Sequence, residues 1–182
     1  LGNATKLAEL IADRDKEYLA RLRLGVTTDT QDMTGTILAQ AEEGMVEKLV
    51  TEDRLRETAQ QFTGEIDQIP PMYSAVWSNG RRLYELAREG IEVERKPRRI
   101  TISELEIVET KLPFVTLRVV CSKGTYIRTL CEDLGNALGV GGAMEHLLRT
   151  RVGIFDLKDA LTLGEVQQIM DSDPGQLNRH II

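Results

Sequence analysis

Alternation of apolar and polar positions is clearest between Phe114 and Cys121. Val115, Leu117, Val119 and Cys121 fall on one face and Thr116 and Arg118 on the other, the period-two signature of a half-buried strand. Ser122-Lys123-Gly124 breaks this pattern. Thr125 then reads as a helix N-cap, followed by Ile127, Leu130, Cys131, Leu134, Ala137 and Leu138 at helical spacing. Earlier in the chain, Leu7, Leu10 and Ile11 predict a helix over 4–13. Tyr18, Ala20, Leu22 and Leu24 alternate through a strand over 16–26, with Arg21 and Arg23 on its other face. A polar loop over 27–35 leads to a short strand over 36–41, and the two strands are expected to pair as a hairpin.

Thr51 is expected to cap a helix running to about Phe62, with Leu55, Ala59 and Phe62 inward and Gly64 ending it. Ile69-Pro70-Pro71 forces extended backbone. Met72 to Trp77 then reads as a strand, Asn79-Gly80 as a turn, and Arg82 to Glu89 as a short helix closed by Gly90. A basic linker, Arg95 to Arg99, enters a strand over 100–108. A strand over 147–155 and a helix from Leu163 to Met170 complete the pattern, and the tail from Asp171 reads as loose. Irregular alternation with hairpin-like joins predicts an α+β fold: a mixed, mostly antiparallel sheet with flanking helices.

Composition narrows the class. A chain of 182 residues with 41% hydrophobic and 29% charged side chains suits one globular domain with a core of its own. No run reaches membrane-spanning length, and the N-terminus lacks a signal-peptide pattern. Cys121 and Cys131, the only cysteines, are expected to be buried reduced thiols of a cytoplasmic protein. With His146 and His180 as the only histidines, no metal site is expected. The net charge is −6, yet residues 77–100 carry seven bases against four acids, a local excess suited to phosphate.

Nucleotide-binding GxGxxG and Walker loops, HExxH and GxSxG are all missing. The unusual residue is Arg128, in the first turn of a helix, where it faces the positive end of the helix dipole. An anion nearby would offset that, and Lys123 adds a second cation to the same loop; an ordinary solvated turn is the alternative. Met72, Tyr73 and Trp77 precede Arg81 and Arg82, which suits base stacking beside phosphate contact, or else places Met72 and Trp77 in the core. Tyr18 and Tyr126 either line a cleft or are buried tyrosines with satisfied hydroxyls.

Seven motifs, in order, carry a resemblance to a known family. They are Ala4-Thr-Lys6, Asp15-Lys-Glu-Tyr18, Gly25-Val-Thr-Thr-Asp-Thr-Gln-Asp32, Ile69-Pro-Pro-Met-Tyr-Ser-Ala-Val76, Arg82-Leu-Tyr-Glu-Leu-Ala-Arg-Glu-Gly90, Cys121-Ser-Lys-Gly-Thr-Tyr-Ile-Arg128 and Leu147-Leu-Arg-Thr-Arg-Val-Gly153. Together they resemble the TruB-type tRNA pseudouridine synthases over nearly the whole chain. The resemblance implies an incomplete pseudouridine synthase fold and isomerisation of uridine 55 in the tRNA T loop, without cofactor or metal, by a protein monomeric at full length. It further implies that Tyr18 stacks on the flipped uracil, that Arg128 pairs with the catalytic aspartate, and that Tyr126 and Leu147 shape the base pocket. The expected RNA contacts are Lys6, Met72, Tyr73, Ser74, Arg81, Arg82, Lys123, Arg149 and Arg151.

Two departures shape these expectations. The first residue is Leu1, and the family's aspartate motif lies upstream of it; Asp13, Asp15, Asp29 and Asp32 do not match that motif. The family's C-terminal RNA-binding extension is not matched either. The expectation is therefore a central fragment, 1–160 from the catalytic domain and 161–182 leading toward the extension, inactive alone because the nucleophilic aspartate is missing and Arg128 loses that partner. Leu148 and Trp77 also stand where many relatives carry Arg and Lys. The alternative functions are a non-catalytic tRNA-binding or tRNA-chaperone module, and a protein-interaction domain whose bases are merely solvated.

Overall fold

A computed structural model describes residues 6, 11–172 and 175. The helix expected over 4–13 and the loose tail from Asp171 fall largely outside the described residues. The backbone of the molecule is a six-stranded sheet built of β1 (Lys16–Leu24), β4 (Gly64–Gln68), β7 (Arg98–Lys111), β8 (Phe114–Cys121), β9 (Gly142–Val152) and β10 (Phe155–Asp156). Their order across the sheet is β10-β9-β1-β8-β7-β4. Every pairing in it is antiparallel. The one parallel contact among the described residues is the isolated bridge between Asp32 and Met144.

The alternation read from the sequence decides which face is covered. Ala20, Leu22 and Leu24 of β1 join Val115, Leu117, Val119 and Cys121 of β8 in one buried cluster. Helix α1 (Met45–Leu49) contributes Val46, α2 (Glu52–Gln61) contributes Leu55, and α4 (Ile127–Ala137) contributes Ile127, Leu130, Cys131 and Leu134. Thr51 caps α2 as expected, its hydroxyl accepting from the Arg54 amide. On the opposite face Arg118 binds Glu17, Glu104 and Glu106, a solvated ion-pair network.

Several expectations are corrected. The strand over 36–41, seen as β3 (Ile37–Gln40), does not pair with β1 but with β2 (Val26–Thr28), in a separate two-stranded sheet. Gly25, at φ +80, turns the chain between β1 and β2, and a side chain there would meet Val46 at 2.8 Å. Residues 72–76 are not a strand: only β5 (Trp77–Ser78) pairs, with β6 (Arg81–Arg82), across an Asn79-Gly80 turn in which both φ values are positive. Helix α3 (Leu83–Arg88) follows directly. Strand β4 was not anticipated, and β9 begins five residues earlier than expected. Thr125 does not cap α4; its hydroxyl donates to Ser122 O, and Tyr126 takes the N-cap position.

Helix α4 lies against β9 with almost nothing between them. A Cβ on Gly135 would stand 2.2 Å from the Gly142 nitrogen, so only glycine allows this approach. Beyond β10, a short 3-10 turn (Leu157–Asp159) leads to α5 (Leu163–Ser172), capped by reciprocal bonds between Thr162 and Glu165.

Candidate functional site

Strand register gathers the first group of side chains. Tyr18 stands opposite Val119 on β8 and Arg149 on β9, while Ala20 stands opposite Leu147. Tyr18 is half-buried; Leu147 and Arg149 are exposed at the outer part of the same face. Burial pushes the Tyr18 phenol above its ordinary pKa, against the pull of the adjacent Arg149. Strand β8 then runs through residues 122–126 into α4, which brings Tyr126 and Arg128 to the next edge of the site.

Tyr126 is fixed through its backbone by Gln68, the last residue of β4. Its amide donates to Gln68 Oε1 at 2.8 Å, and its carbonyl accepts from Gln68 Nε2 at 3.1 Å. Gln68 is only 2% exposed. Sequence reasoning missed this residue, whose one signal was a polar side chain directly before Ile69-Pro70-Pro71.

Arg128 is the hub. Its guanidinium donates to Asp32 Oδ2 at 3.2 Å, to Thr30 O at 3.2 Å and to Tyr73 O at 2.7 Å. The anion sought from its placement in the first helical turn is thus present within this chain, as Asp32. Burial pushes the Asp32 carboxyl up, but hydrogen bonds from Thr34 and Thr30 and the charge of Arg128 outweigh it and hold it below the usual carboxylate range.

A second set of contacts crosses the first. Gln31, at φ 64, donates from Nε2 to Glu132 Oε2 and accepts from Thr129 Oγ1. Gln31 was visible only as a member of the 25–32 motif, with no role attached, and Thr129 and Glu132 carried no sequence signal.

The remaining expected RNA contacts are dispersed. Arg82 stacks over Trp77 at 4.2 Å and also bonds Ala75 O. Arg81 is forked onto Glu89. Lys123 pairs with Asp13 at 2.9 Å, and Arg151 bonds Gly153 O and approaches Glu17. Met72 and Tyr73 are half-buried; Ser74 is buried, its hydroxyl without a partner among the described residues. Lys6 is exposed, in the one described position before residue 11. Beside the β5–β6 hairpin lies a cleft of about 670 Å³ lined by Pro70, Trp77, Asn79, Glu94, Lys96 and Arg98 among others. Among the described residues no group of His, Cys, Asp and Glu could hold a metal ion, and no helix is long and apolar enough to cross a membrane.

Comparison with known proteins places this arrangement. The TruB family pseudouridylate synthase N-terminal domain matches residues 1–127. The chain belongs to the TruB family. A tRNA pseudouridylate synthase B C-terminal domain matches residues 128–182. Those two TruB matches meet at the start of α4, inside one continuous sheet-and-helix body. The tRNA pseudouridine synthase B of Clostridium kluyveri is 50% identical over 163 residues, covering 90% of this chain and 55% of that protein. That of Heliobacterium modesticaldum is 51% identical over 166 residues, covering 90% of this chain and 53% of that protein. The chain thus spans about half the length of these TruB relatives. Among solved structures, a Cbf5-Nop10-Gar1 complex superposes with a TM-score of 0.66 at 29% identity, over 93% of this chain and 41% of the matched one. An H/ACA RNP bound to a substrate RNA containing 2'-deoxyuridine does so with a TM-score of 0.59 at 25% identity, over 98% of this chain and 40% of the matched one. The fold is that of the pseudouridine synthases.

Proposed function

We propose that this chain is the central part of a tRNA pseudouridine-55 synthase, a cytoplasmic monomer that isomerises uridine in the T loop without cofactor or metal. Residues 1–160 belong to its catalytic domain, and 161–182 lead toward an RNA-binding extension. The observation that carries this reading is the convergence of Tyr18, Leu147 and Arg149 on one sheet face with Tyr126 and Arg128 at the adjoining helix start, in a chain of this family.

The chemistry follows from those positions. Extracting a base from a folded loop costs a few kcal/mol, and stacking on an aromatic ring such as Tyr18 offsets about 1–3 kcal/mol of it. An aspartate carboxylate, supplied from the family's upstream motif, attacks the ribose or assists departure of uracil. The base turns and C5 bonds to the ribose C1′ as the carboxylate, where it had bonded there, leaves. The C5 proton passes by way of the Tyr18 hydroxyl to solvent while N1 takes up a proton, so that the product is an isomer of the substrate. Arg128 spends three of its five N–H donors on Asp32, Thr30 and Tyr73. Its remaining donors face the incoming carboxylate. Leu147 and Tyr126 wall the base. Arg81, Arg82, Lys123, Arg149, Arg151 and Lys6 follow the phosphates, with Met72 and Tyr73 beside them; Ser74 joins only when residues 72–76 open.

Tritium release from tRNA carrying 5-tritiated uridine tests this on the full-length gene product, with the 182-residue chain in parallel. Release that depends on a uridine at position 55 and disappears in Arg128→Ala is expected. No release from the full-length protein, or release indifferent to position 55, overturns it. A second reading has one observation in its favour: Asp32 already occupies Arg128. In that case the full-length protein binds the T stem-loop, with strong salt dependence, and isomerises nothing.

A further inference from the structure

Arg128 and Gln31 reach past each other across one seam. Arg128 extends from α4 to the loop and bonds Thr30 O and Asp32 Oδ2, the residues on either side of Gln31. Gln31 extends from the loop to α4 and bonds Thr129 Oγ1 at 2.7 Å and Glu132 Oε2 at 2.5 Å, the residue after Arg128 and the one a helical turn on. Thr129 is buried and Glu132 half-buried, so this end of the seam is shielded from water. The backbone of Gln31 is pinned as well: its carbonyl accepts from Met144 N of β9. Its left-handed φ of 64, unusual for a side chain of this kind, swings the carboxamide toward the helix.

We propose that Gln31 is a positioning residue for Arg128. Its carboxamide clamps the 28–34 loop to α4, holding Asp32 and Thr30 where they aim the guanidinium. Without the clamp the loop keeps its internal bonds to Asp32 and Asp29 and its contacts with β9. Its ties to α4 are then the Arg128 bonds themselves, so the guanidinium must hold the very groups that aim it. The functional consequence rests on the reading of Arg128 given above; the clamp itself does not.

The test is made first on RNA-free protein. Rotation of the Arg128 guanidinium is measured by side-chain nitrogen-15 NMR, with Arg128→Lys identifying the resonance. Gln31→Ala keeps a Cβ at the same φ and removes the γ-methylene and the carboxamide; it is expected to speed rotation about tenfold, the effect of one hydrogen bond in a charged network. Thr129→Val, which loses only the hydroxyl, serves as a second and gentler lesion with a change in the same direction. Gln31→Glu sets two carboxylates against each other and breaks the bond between these two residues, whereas Glu132→Gln alone keeps an oxygen acceptor for Gln31. The double variant restores a donor–acceptor pair with the roles exchanged. Rotation in the double variant is expected to return to the wild-type rate, a rescue that general loosening would not produce. Unchanged rotation in both Gln31→Ala and Thr129→Val, or no rescue in the double variant, overturns the proposal. Tritium release by the full-length variants is measured separately. If the wild type releases nothing, the assigned activity fails while the NMR result still decides the clamp. If it is active, kcat is expected to fall with KM little changed.

Discussion

Gln68 and Tyr126, far apart in the chain, form a closed two-bond ring in which the carboxamide of one satisfies both the amide and the carbonyl of the other. Removing the carboxamide strands the Tyr126 amide, while the Tyr126 carbonyl keeps its helical bond from Leu130 N. Gln68→Ala is expected to lower unfolding free energy by about 1–3 kcal/mol, the cost of one unsatisfied group. Urea titration checks this. A loss no larger than that of an exposed glutamine would mean that water replaces the side chain.

The Asp32–Arg128 pair gives an acid-side dependence. A carboxylate whose folded pKa lies below its unfolded value stabilises the fold above the unfolded pKa. That contribution disappears as pH falls through the folded one. Asp32→Asn is therefore expected to lose stability relative to wild type at pH 7, with the difference shrinking below about pH 4, the unfolded aspartate value. Parallel stability curves at all pH values would contradict the assignment.

Asp133 runs the other way. Burial, and secondarily the neighbouring Glu132, push its carboxyl up to about 6. The folded state then resists ionisation, so stability is lost as pH rises from the unfolded value through about 6. Asp133→Asn is expected to be more stable than wild type at pH 7.5 by about 1 kcal/mol, a figure discounted for partial solvation. Little difference is expected below pH 4. Thermal denaturation at the two pH values distinguishes these outcomes.

Trp77, the single tryptophan, is 59% exposed and stacked under Arg82. It reports directly on the β5–β6 hairpin. Addition of a T stem-loop RNA is expected to quench its fluorescence. Arg82→Ala should change stability by less than about 1 kcal/mol while lowering the salt slope of RNA binding by about 1. An unaltered slope would remove Arg82 from the phosphate contacts.

Period and punctuation made much of the fold legible. The strand over 114–121 was found to the residue because its inward positions are all apolar and Ser122-Lys123-Gly124 ends it sharply. Thr51 announced α2 through its own hydroxyl. Strand β4 was hidden because Glu65 and Asp67 outnumber its one apolar residue, Ile66. Residues 72–76 have a strand's composition, yet the carbonyls of Tyr73 and Ala75 go to Arg128 and Arg82 instead of a ladder. The candidate site was legible where motifs name residues, as with Tyr18, Tyr126 and Arg128. Its supports were not: Gln31 and Glu132 are 101 positions apart, and no local pattern records such a bond.

The bare contact between Gly135 and Gly142 has a mechanical consequence. The Gly135 carbonyl also accepts from the amides of Val140 and Gly141, locking the end of α4 to the start of β9. No side chain lies between them to act as a bearing, so the helix cannot slide along the strand. Any tilt that carries Arg128 toward a substrate must drag β9 with it, and with β9 go Leu147 and Arg149. The two sides of the site therefore move like a single lever whose fulcrum is a pair of glycines.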